Sequence, residues 1–310
     1  MDDALYGPDG FYRRPEGPAG HFRTPAQSPP YARAIGTLLR RVDDALDHPP
    51  VLDLVDVGAG RGELLRHIAS LAVVQPYASR LRLTGVEVAA RPRGLPTTIA
   101  WTDRIPPVTG VLVATEWLDV IPCDVVELTG AGPRLIEVDD AGREALGRAP
   151  EPADAAWLQR WWPLQHVGDR AEIGRPRDEA WAAAVGRVRH GLAVAVDYGH
   201  DITDRPPAGT LTGFRAGRER RPVPDTTMDL TAHVALDAAA AVAGVPGLRM
   251  AQADALRDLG VCTGSATDTA LDRLQTAGES AQLLDPEGFG GFGWLLHGVG
   301  VEVPLGSGRQ

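Results

Sequence analysis

The sequence contains no lysine, so each of its 31 basic side chains is an arginine. Aspartate and glutamate together number 41, which leaves a formal net charge of −10 at pH 7. An acidic chain is repelled by nucleic acids and by anionic membranes, so neither is predicted as a partner. The same charge suits a cationic substrate.

Cysteine is almost as scarce, with only Cys123 and Cys262 in the chain. Neither belongs to a C-x-x-C motif or has a histidine at ligand spacing, so the sequence predicts no metal site and no disulfide framework. We expect reduced thiols, with a single disulfide as the alternative. Long apolar runs are also missing, and the acidic N-terminus lacks the pattern of a secretory signal. We therefore expect a soluble, cytoplasmic protein.

The first 30 residues are rich in glycine, proline and aromatic residues, a composition that predicts ordered but irregular structure. After them, apolar residues at helical spacing over residues 32–46 predict a helix, which ends before two prolines.

Residues 51–62, V-L-D-L-V-D-V-G-A-G-R-G, predict a buried parallel strand that turns sharply into a helix. Gly58, Gly60 and Gly62 allow the tight bend and the close approach of a ligand. The spacing is G-x-G-x-G, which is typical of class I S-adenosylmethionine (SAM) methyltransferases, whereas dinucleotide sites use G-x-G-x-x-G. A tight turn without a ligand and a nicotinamide-dependent oxidoreductase stay open as alternatives.

Two further strand ends carry acidic residues. Glu87 closes the strand predicted at 81–87, where a carboxylate can accept hydrogen bonds from a ligand ribose, although a solvated charge at the strand end is the alternative. A strand at 110–115 runs directly into Glu116 and Asp119. These carboxylates can orient a cationic acceptor, take a proton or hold the cofactor's ammonium group, or one of them can cap a helix.

Residues 123–190 interrupt the alternation of strands and helices. Apolar runs at 125–128 and 135–138 flank a turn and predict a β-hairpin. Trp157 and Leu158 are each followed by a tryptophan four residues later, a stripe that we interpret as core and not as an acceptor pocket.

Alternation returns with a strand at 192–199. A basic cluster then follows, for which we expect a solvated loop, with anion binding or pairing with the acidic remainder of the protein as alternatives; its members are Arg215, Arg218, Arg220 and Arg221.

Together these motifs resemble, in their order, the MidA-like family of SAM-dependent methyltransferases, which includes a mitochondrial complex I assembly factor that methylates an arginine. The matching pieces are Gly10-Phe11-Tyr12, Gly20-His21-Phe22-Arg23-Thr24, residues 57–62, residues 115–122, Asp197-Tyr198-Gly199, Gly209-Thr210-Leu211 and residues 229–234.

The resemblance implies an α/β fold, a class I methyltransferase (Rossmann-like) doubly wound sheet with an N-terminal segment and a central insertion. The implied segments are 1–48, packed on the acceptor side, 49–122 and 191–310, the two halves of the SAM-binding core, and 123–190, the insertion of a hairpin and tryptophan-rich helices.

The resemblance also implies site residues. The implied cofactor-binding residues are Gly58, Ala59, Gly60, Gly62, Glu87 and Thr115. The implied catalytic residues are Glu116, Asp119 and His233, and those on the acceptor side are Phe22, Thr24, Asp197 and Tyr198.

The chain departs from the family pattern at His21, at Ala26 and Gln27, and at Thr115 and Val120. We therefore carry two hypotheses besides the oxidoreductase. The favoured one is a SAM-dependent methyltransferase of a protein side chain, with arginine suggested by the resemblance. The alternative is a catalytically weak SAM-binding relative that acts as an assembly or binding factor. The oligomeric state is not predicted.

Overall fold

The computed structural model describes residues 1–14, 23–72, 75–261 and 270–306. The strands, in chain order, are β1 Leu52–Val57, β2 Leu81–Val86, β3 Ile99–Thr102, β4 Val108–Thr115, β5 Val125–Thr129, β6 Gly132–Val138, β7 Glu144–Leu146, β8 Arg170–Glu172, β9 Val188–Asp197, β10 Gly199–His200, β11 Thr212–Arg215, β12 Arg218–Arg220, β13 Asp229–Thr231, β14 Val234–Ala235, β15 Gly247–Ala251 and β16 Gly293–Val299.

The α-helices, in chain order, are α1 Asp2–Tyr6, α2 Pro29–Ala45, α3 Glu63–Ala72, α4 Pro152–Trp161, α5 Arg175–Val185, α6 Leu236–Val242, α7 Gln252–Asp258 and α8 Ala270–Leu284. Short 3₁₀ helices occupy Phe11–Arg13, Pro25–Gln27 and Phe289–Gly291. Within the described residues, no helix has both the length and the apolar character needed to cross a membrane.

The chain forms two compact units, each built from separate stretches of sequence. The core unit comprises Arg23–Trp117, Ala184–Tyr198 and Val245–Gln310, and the accessory unit comprises Met1–Phe22, Leu118–Ala183 and Gly199–Gly244.

The core unit contains a seven-stranded sheet in the order β15-β16-β9-β4-β1-β2-β3. The five strands from β9 to β3 are parallel, whereas β16 is antiparallel to both of its neighbours. Strands β1, β4 and β9 are almost wholly buried, which is why aliphatic residues dominate their sequences. The predicted doubly wound α/β sheet is confirmed.

Helix α2 packs its apolar stripe against this sheet, and Leu38, Leu39 and Val42 are fully buried there. The helix was predicted to begin at residue 32 but begins at Pro29. Proline is well tolerated in the first turn of a helix, because its missing N–H would have no helical partner there.

The accessory unit holds three small sheets, with the orders β7-β6-β5-β8, β12-β11-β13 and β10-β14. The predicted hairpin is β5–β6, which is antiparallel. Trp157, Leu158 and Trp162 are buried in one apolar cluster with β5 and α6, as the core interpretation of the tryptophan stripe requires.

The N-terminal residues of the accessory unit are more regular than their composition predicts. They form α1 and a 3₁₀ turn, and Leu5 and Phe11 enter an apolar cluster with Val120 and Leu230. Burial of these apolar side chains stabilises the segment, although its glycines and proline disfavour regular secondary structure.

The unit boundaries also differ from the predicted segments. Residues 191–310 were expected to form one half of the core, but Gly199–Gly244 groups with Leu118–Ala183. Hydrogen bonds between distant residues explain this grouping: Glu172 accepts bonds from the main-chain N–H groups of Thr210 and Leu211.

Candidate functional site

Three neighbouring strands of the core unit, β2, β1 and β4, end side by side. The last residues of β1 and β2 are paired in register, and the same residue of β1 pairs with Ala114 of β4. Gly58, Glu87 and Thr115 therefore lie at adjacent carboxyl ends. In the sheet, β2 and β3 follow β1 on one side, whereas β4 and then β9 are added on the other side of β1. The strand order therefore reverses between β1 and β4. Such a topological switch point is where open α/β sheets bind ligands.

The glycine turn after β1 needs its glycines for backbone conformation. The φ angles are 73°, 54° and 74° at Gly58, Gly60 and Gly62, values that residues with a Cβ rarely adopt. The N–H groups of Gly58 and Ala59 both donate to the Val86 carbonyl, at 3.0 and 3.2 Å, which fixes the turn on the end of β2.

Gly60 also leaves open space. A Cβ on Gly60 would have its nearest non-neighbouring atom, a Glu63 carboxylate oxygen, at 3.9 Å, whereas a Cβ on Gly62 would lie 2.8 Å from the Leu95 side chain. The N–H of Gly60 donates to Oε2 of Glu87 at 3.0 Å. The middle glycine is thus required by its backbone angle and not by protein packing, as expected where a ligand approaches.

Glu87 is anchored by main-chain donors. Its Oε1 accepts from the N–H of Val88 at 2.7 Å and from that of Ala89 at 3.3 Å. Burial raises the pKa of Glu87, and the bonds from Gly60, Ala89 and Val88 oppose that shift. A carboxylate has about four acceptor positions, so capacity for a ligand hydroxyl remains.

Asp56, near the end of β1, is a site residue that sequence reasoning missed. Its side chain is buried, with the residue only 3% exposed. Burial, and then the charges of Glu63 and Glu87, raise the pKa of Asp56 to about 8. A carboxylate that interrupts an apolar strand just before a glycine turn was the available signal, because an unpaired buried charge is costly unless it has a function.

The end of β4 is held from helix α2. The hydroxyls of Tyr31 and Thr115 are hydrogen-bonded at 2.8 Å, and Tyr31 packs edge-to-face on Trp294. Burial raises the pKa of Tyr31, so this hydroxyl stays protonated. The next residue, Glu116, has a φ of 51°, a strained conformation for a non-glycine residue, and its N–H donates to the Val196 carbonyl at 2.8 Å.

Asp119 lies in the accessory unit and is 2% exposed. Its Oδ2 accepts a 2.6 Å hydrogen bond from the Thr231 hydroxyl. Its carbonyl accepts from Nη2 of Arg177 at 2.7 Å and from the N–H of Ala232 at 3.1 Å. No local motif points to Arg177, whose buried guanidinium also donates to the carbonyls of Ile121, Ala232 and His233.

A second carboxylate, Asp229, accepts a 2.9 Å hydrogen bond from the Tyr12 hydroxyl. Burial, followed by the charge of Asp119, raises the pKa of Asp229 to about 7. Asp229 and Thr231 alternate along β13 and so share one face of that strand. The accessory unit thus holds two buried carboxylates, Asp119 and Asp229, each with a hydroxyl donor.

Of the remaining predicted residues, His233 belongs to the accessory unit and Asp197 and Tyr198 belong to the core unit. His233 is exposed, and its N–H donates to the Thr210 hydroxyl at 2.9 Å. Asp197 is fully buried at the end of β9, and Tyr198 packs edge-to-face on Phe292 in the core unit.

The predicted N-terminal site residues are described only in part. Phe22 lies outside the described residues, as does the departure at His21. Thr24 precedes the 3₁₀ helix Pro25–Gln27, and its carbonyl accepts from the N–H of Gln27 at 3.2 Å.

One cluster in the described part of the chain has the composition of a cation site, namely Asp43, Asp44 and His48. Arg80 donates to both oxygens of Asp43 at 2.8 Å and lowers its pKa. A bidentate guanidinium already neutralises this carboxylate, so we assign no metal to the cluster.

Comparison with known proteins identifies a family for the chain. Residues 34–253 match the model of a family described as "Putative S-adenosyl-L-methionine-dependent methyltransferase". No curated protein matches the chain.

Two similar crystal structures come from Burkholderia thailandensis. One is of a COG1565 superfamily member bound to S-adenosyl-homocysteine (SAH), with a TM-score of 0.80 and 22% identity over 97% of this chain and 87% of that one. The other is a native structure of a COG1565 superfamily protein, with a TM-score of 0.80 and 23% identity over 100% of this chain and 89% of that one. At 22% and 23% sequence identity, the structural similarity establishes the fold alone, which is the class I methyltransferase fold.

Proposed function

Because this chain belongs to the family of SAM-dependent methyltransferases whose model it matches, we propose that it methylates a side-chain nitrogen of a protein, with arginine the favoured acceptor. The observation that carries the proposal is the carboxyl edge of β2, β1 and β4, where an open glycine turn meets buried carboxylates. A cytoplasmic location and membership of the MidA-like group belong to the same proposal.

The residues of the core unit fit SAM. The ligand carries a sulfonium and an ammonium group, and Glu63 and Glu87 supply negative charge near the turn, beside the carboxyl group of Asp56. The space above Gly60 admits a ligand where a Cβ would intrude. When bound, SAM supplies an electrophilic methyl group, and the protein needs only to hold and orient it.

Each core residue has a distinct part in that binding. Glu87 is held rigid by main-chain donors and keeps acceptor capacity for ribose hydroxyls. Asp56, whose pKa is raised to about 8, contributes a buried and largely protonated carboxyl group next to the turn. Thr115, where the family pattern has another residue, keeps its hydroxyl in place through Tyr31.

The accessory unit supplies chemistry suited to a cationic acceptor. Asp119 and Asp229 are buried carboxylates, and carboxylates bind guanidinium groups through paired, charge-assisted hydrogen bonds. Arg177 and Thr231 hold Asp119 in one orientation. Correct positioning of a nucleophile is worth about 7–11 kcal/mol in favourable cases, so orientation of this kind can supply much of the rate enhancement.

Isothermal calorimetry with SAM, and separately with NAD, tests the cofactor. We expect micromolar binding of SAM that Gly60→Asp abolishes, because the new carboxylate fills the open side of the turn. Binding of NAD in place of SAM would support the oxidoreductase alternative and refute the proposal.

Methyl transfer is tested with radiolabelled SAM and a cell extract. We expect label in protein that acid hydrolysis recovers as methylarginine, and none with Asp119→Asn, whose SAM affinity stays near that of the wild type. Tight SAM binding without any labelled protein would favour the alternative of a catalytically weak binding or assembly factor. Loss of SAM affinity in Asp119→Asn would show that this residue serves the cofactor.

A further inference from the structure

The hairpin β11–β12 of the accessory unit concentrates positive charge in an acidic protein. Its turn residues, Ala216 and Gly217, have φ angles of 51° and 72°, the signs of a two-residue type I′ turn. The register pairs Arg215 directly with Arg218. Like charges placed directly opposite destabilise a strand pair, so this arrangement costs the hairpin stability.

Three arginines project from one face of this hairpin. Directly paired residues share a face, and residues two apart on a strand share it too, so Arg215, Arg218 and Arg220 point the same way. Glu219 points to the opposite face, where it accepts a 3.0 Å hydrogen bond from the Thr212 hydroxyl.

In the described part of the chain, several other arginines are ion-paired with carboxylates, whereas the three hairpin arginines are not. Arg80, Arg170 and Arg175 are bound to carboxylates, as expected when acidic residues are in excess. Among the described residues, none of the three hairpin arginines lies within ion-pair distance of a carboxylate, and all are exposed. Their charge is available to another molecule.

Strand β12 is also an edge. It lies at the end of its sheet, with β11 on one side only. Arg215 and Arg218 flank the two-residue turn, so they form a hydrogen-bonded pair that exchanges both main-chain bonds. Hydrogen-bonded and non-hydrogen-bonded pairs alternate along antiparallel strands. The N–H and C=O of the next residue, Glu219, therefore point away from β11, to the open side of β12. An extended peptide can add to such an edge through main-chain bonds and present side chains to the arginine face.

We propose that the edge of β12 docks an extended segment of a partner protein in which acidic residues alternate along the strand. Arg218 and Arg220 are about 6.7 Å apart along their strand, which is the spacing of alternate side chains in any extended peptide. Each guanidinium then binds one carboxylate in bidentate geometry.

The size and setting of the patch favour a peptide over other anions. Nucleic-acid binding proteins commonly make about 6–10 phosphate contacts, and membrane-binding clusters contain about 4–8 basic residues. Three arginines fall short of both, because Arg221 lies beyond β12 and donates to the Gly142 carbonyl at 2.7 Å. The net charge of −10 also repels an extended polyanion or an anionic surface.

The test is fluorescence anisotropy on the full chain with two labelled eight-residue peptides of identical composition. In one, glutamate alternates with valine and threonine, and in the other the four glutamates are contiguous. We expect the alternating peptide to bind more tightly, and its affinity to fall about tenfold in Arg218→Gln/Arg220→Gln, the size expected for the loss of two exposed ion pairs.

Arg82→Gln/Arg189→Gln is the matched control, since it removes the same charge from exposed strand positions on β2 and β9. It should bind the alternating peptide like the wild type. Equal weakening in the control, or equal affinity for both peptides, would overturn the proposal. So would tighter binding of a 20-nucleotide single-stranded DNA probe, which would indicate a nucleic-acid surface.

Charged edge strands also serve to prevent aggregation. If the hairpin variant self-associates in analytical ultracentrifugation while its peptide affinity is unchanged, the arginines protect the edge and the proposal fails. The peptide affinity of Arg218→Lys/Arg220→Lys is measured as well, because this variant keeps the positive charge and loses the bidentate geometry of arginine. We expect it to bind with an affinity between those of the wild type and the glutamine variant.

Discussion

The buried carboxyl group of Asp56 gives the protein a pH-dependent stability that one substitution should remove. In the folded state, burial and the charges of Glu63 and Glu87 raise the pKa of Asp56 from 3.8 to about 8. The folded protein therefore holds a proton on this group across most of the neutral range. Asp56→Asn replaces it with an uncharged group of nearly the same shape.

The sign and size of the effect follow from linkage. A group whose pKa is raised on folding stabilises the native state below its unfolded pKa, and this stabilisation is lost as the pH rises through the folded pKa. The slope is about 1.4 kcal/mol per pH unit for one proton. For Asp56, the free energy of unfolding should therefore fall by about 4 kcal/mol at most between pH 5 and pH 8. The fall is smaller where the titrations of Glu63 and Glu87 are coupled to that of Asp56.

Urea unfolding followed by circular dichroism at pH 5, 6, 7 and 8 measures this loss. We expect the free energy of unfolding to fall with pH in the wild type and to fall much less in Asp56→Asn, so that the variant is the more stable protein at pH 8. Other buried carboxyls with a raised pKa, such as Asp178 and Asp229, titrate in both proteins and cancel in the comparison. Parallel curves for the two proteins would refute the reasoning, because Asp56 would then be ionised in the folded state.

Four further substitutions test the packing described above. Gly60→Ala should lower stability by only about 1 kcal/mol, the cost of its backbone angle, yet lose SAM in calorimetry, whereas Gly62→Ala should lower the melting temperature further through contact with the Leu95 side chain. Tyr31→Phe should cost about 1–3 kcal/mol in urea unfolding, because the buried Thr115 hydroxyl loses its partner; no change would mean that another group replaces it. Arg177→Met should cost about 3 kcal/mol or more, since several carbonyls lose their donor, and a melting temperature equal to that of the wild type would contradict this role.

Local sequence signals located the strands and the glycine turn of the core unit. The runs before Gly58, Glu87 and Glu116 are rich enough in aliphatic residues to predict three strands, and the turn chemistry indicated which edge binds the ligand. These features depend on residues close together in the chain.

Features that depend on distant residues were not predictable in this way. Strand β15 is largely exposed and has no clear periodicity, so it forms only because β16 pairs with it. Tyr31 was hidden because its sequence position matches the core face of a helix, and the burial of Asp56 became evident only in the folded structure. The grouping of Gly199–Gly244 with Leu118–Ala183 arises from contacts between residues far apart in sequence, such as the 55-residue separation between Arg177 and Ala232.

The position of β16 in the sheet has a consequence for synthesis of the protein. Although it comes last among the strands, β16 lies between β9 and β15. A ribosome must therefore release about a hundred further residues after β9 before that strand receives its second neighbour. Throughout this interval the nascent chain presents an apolar, unpaired strand edge, which is the kind of surface that chaperones bind and that pairs wrongly with other chains.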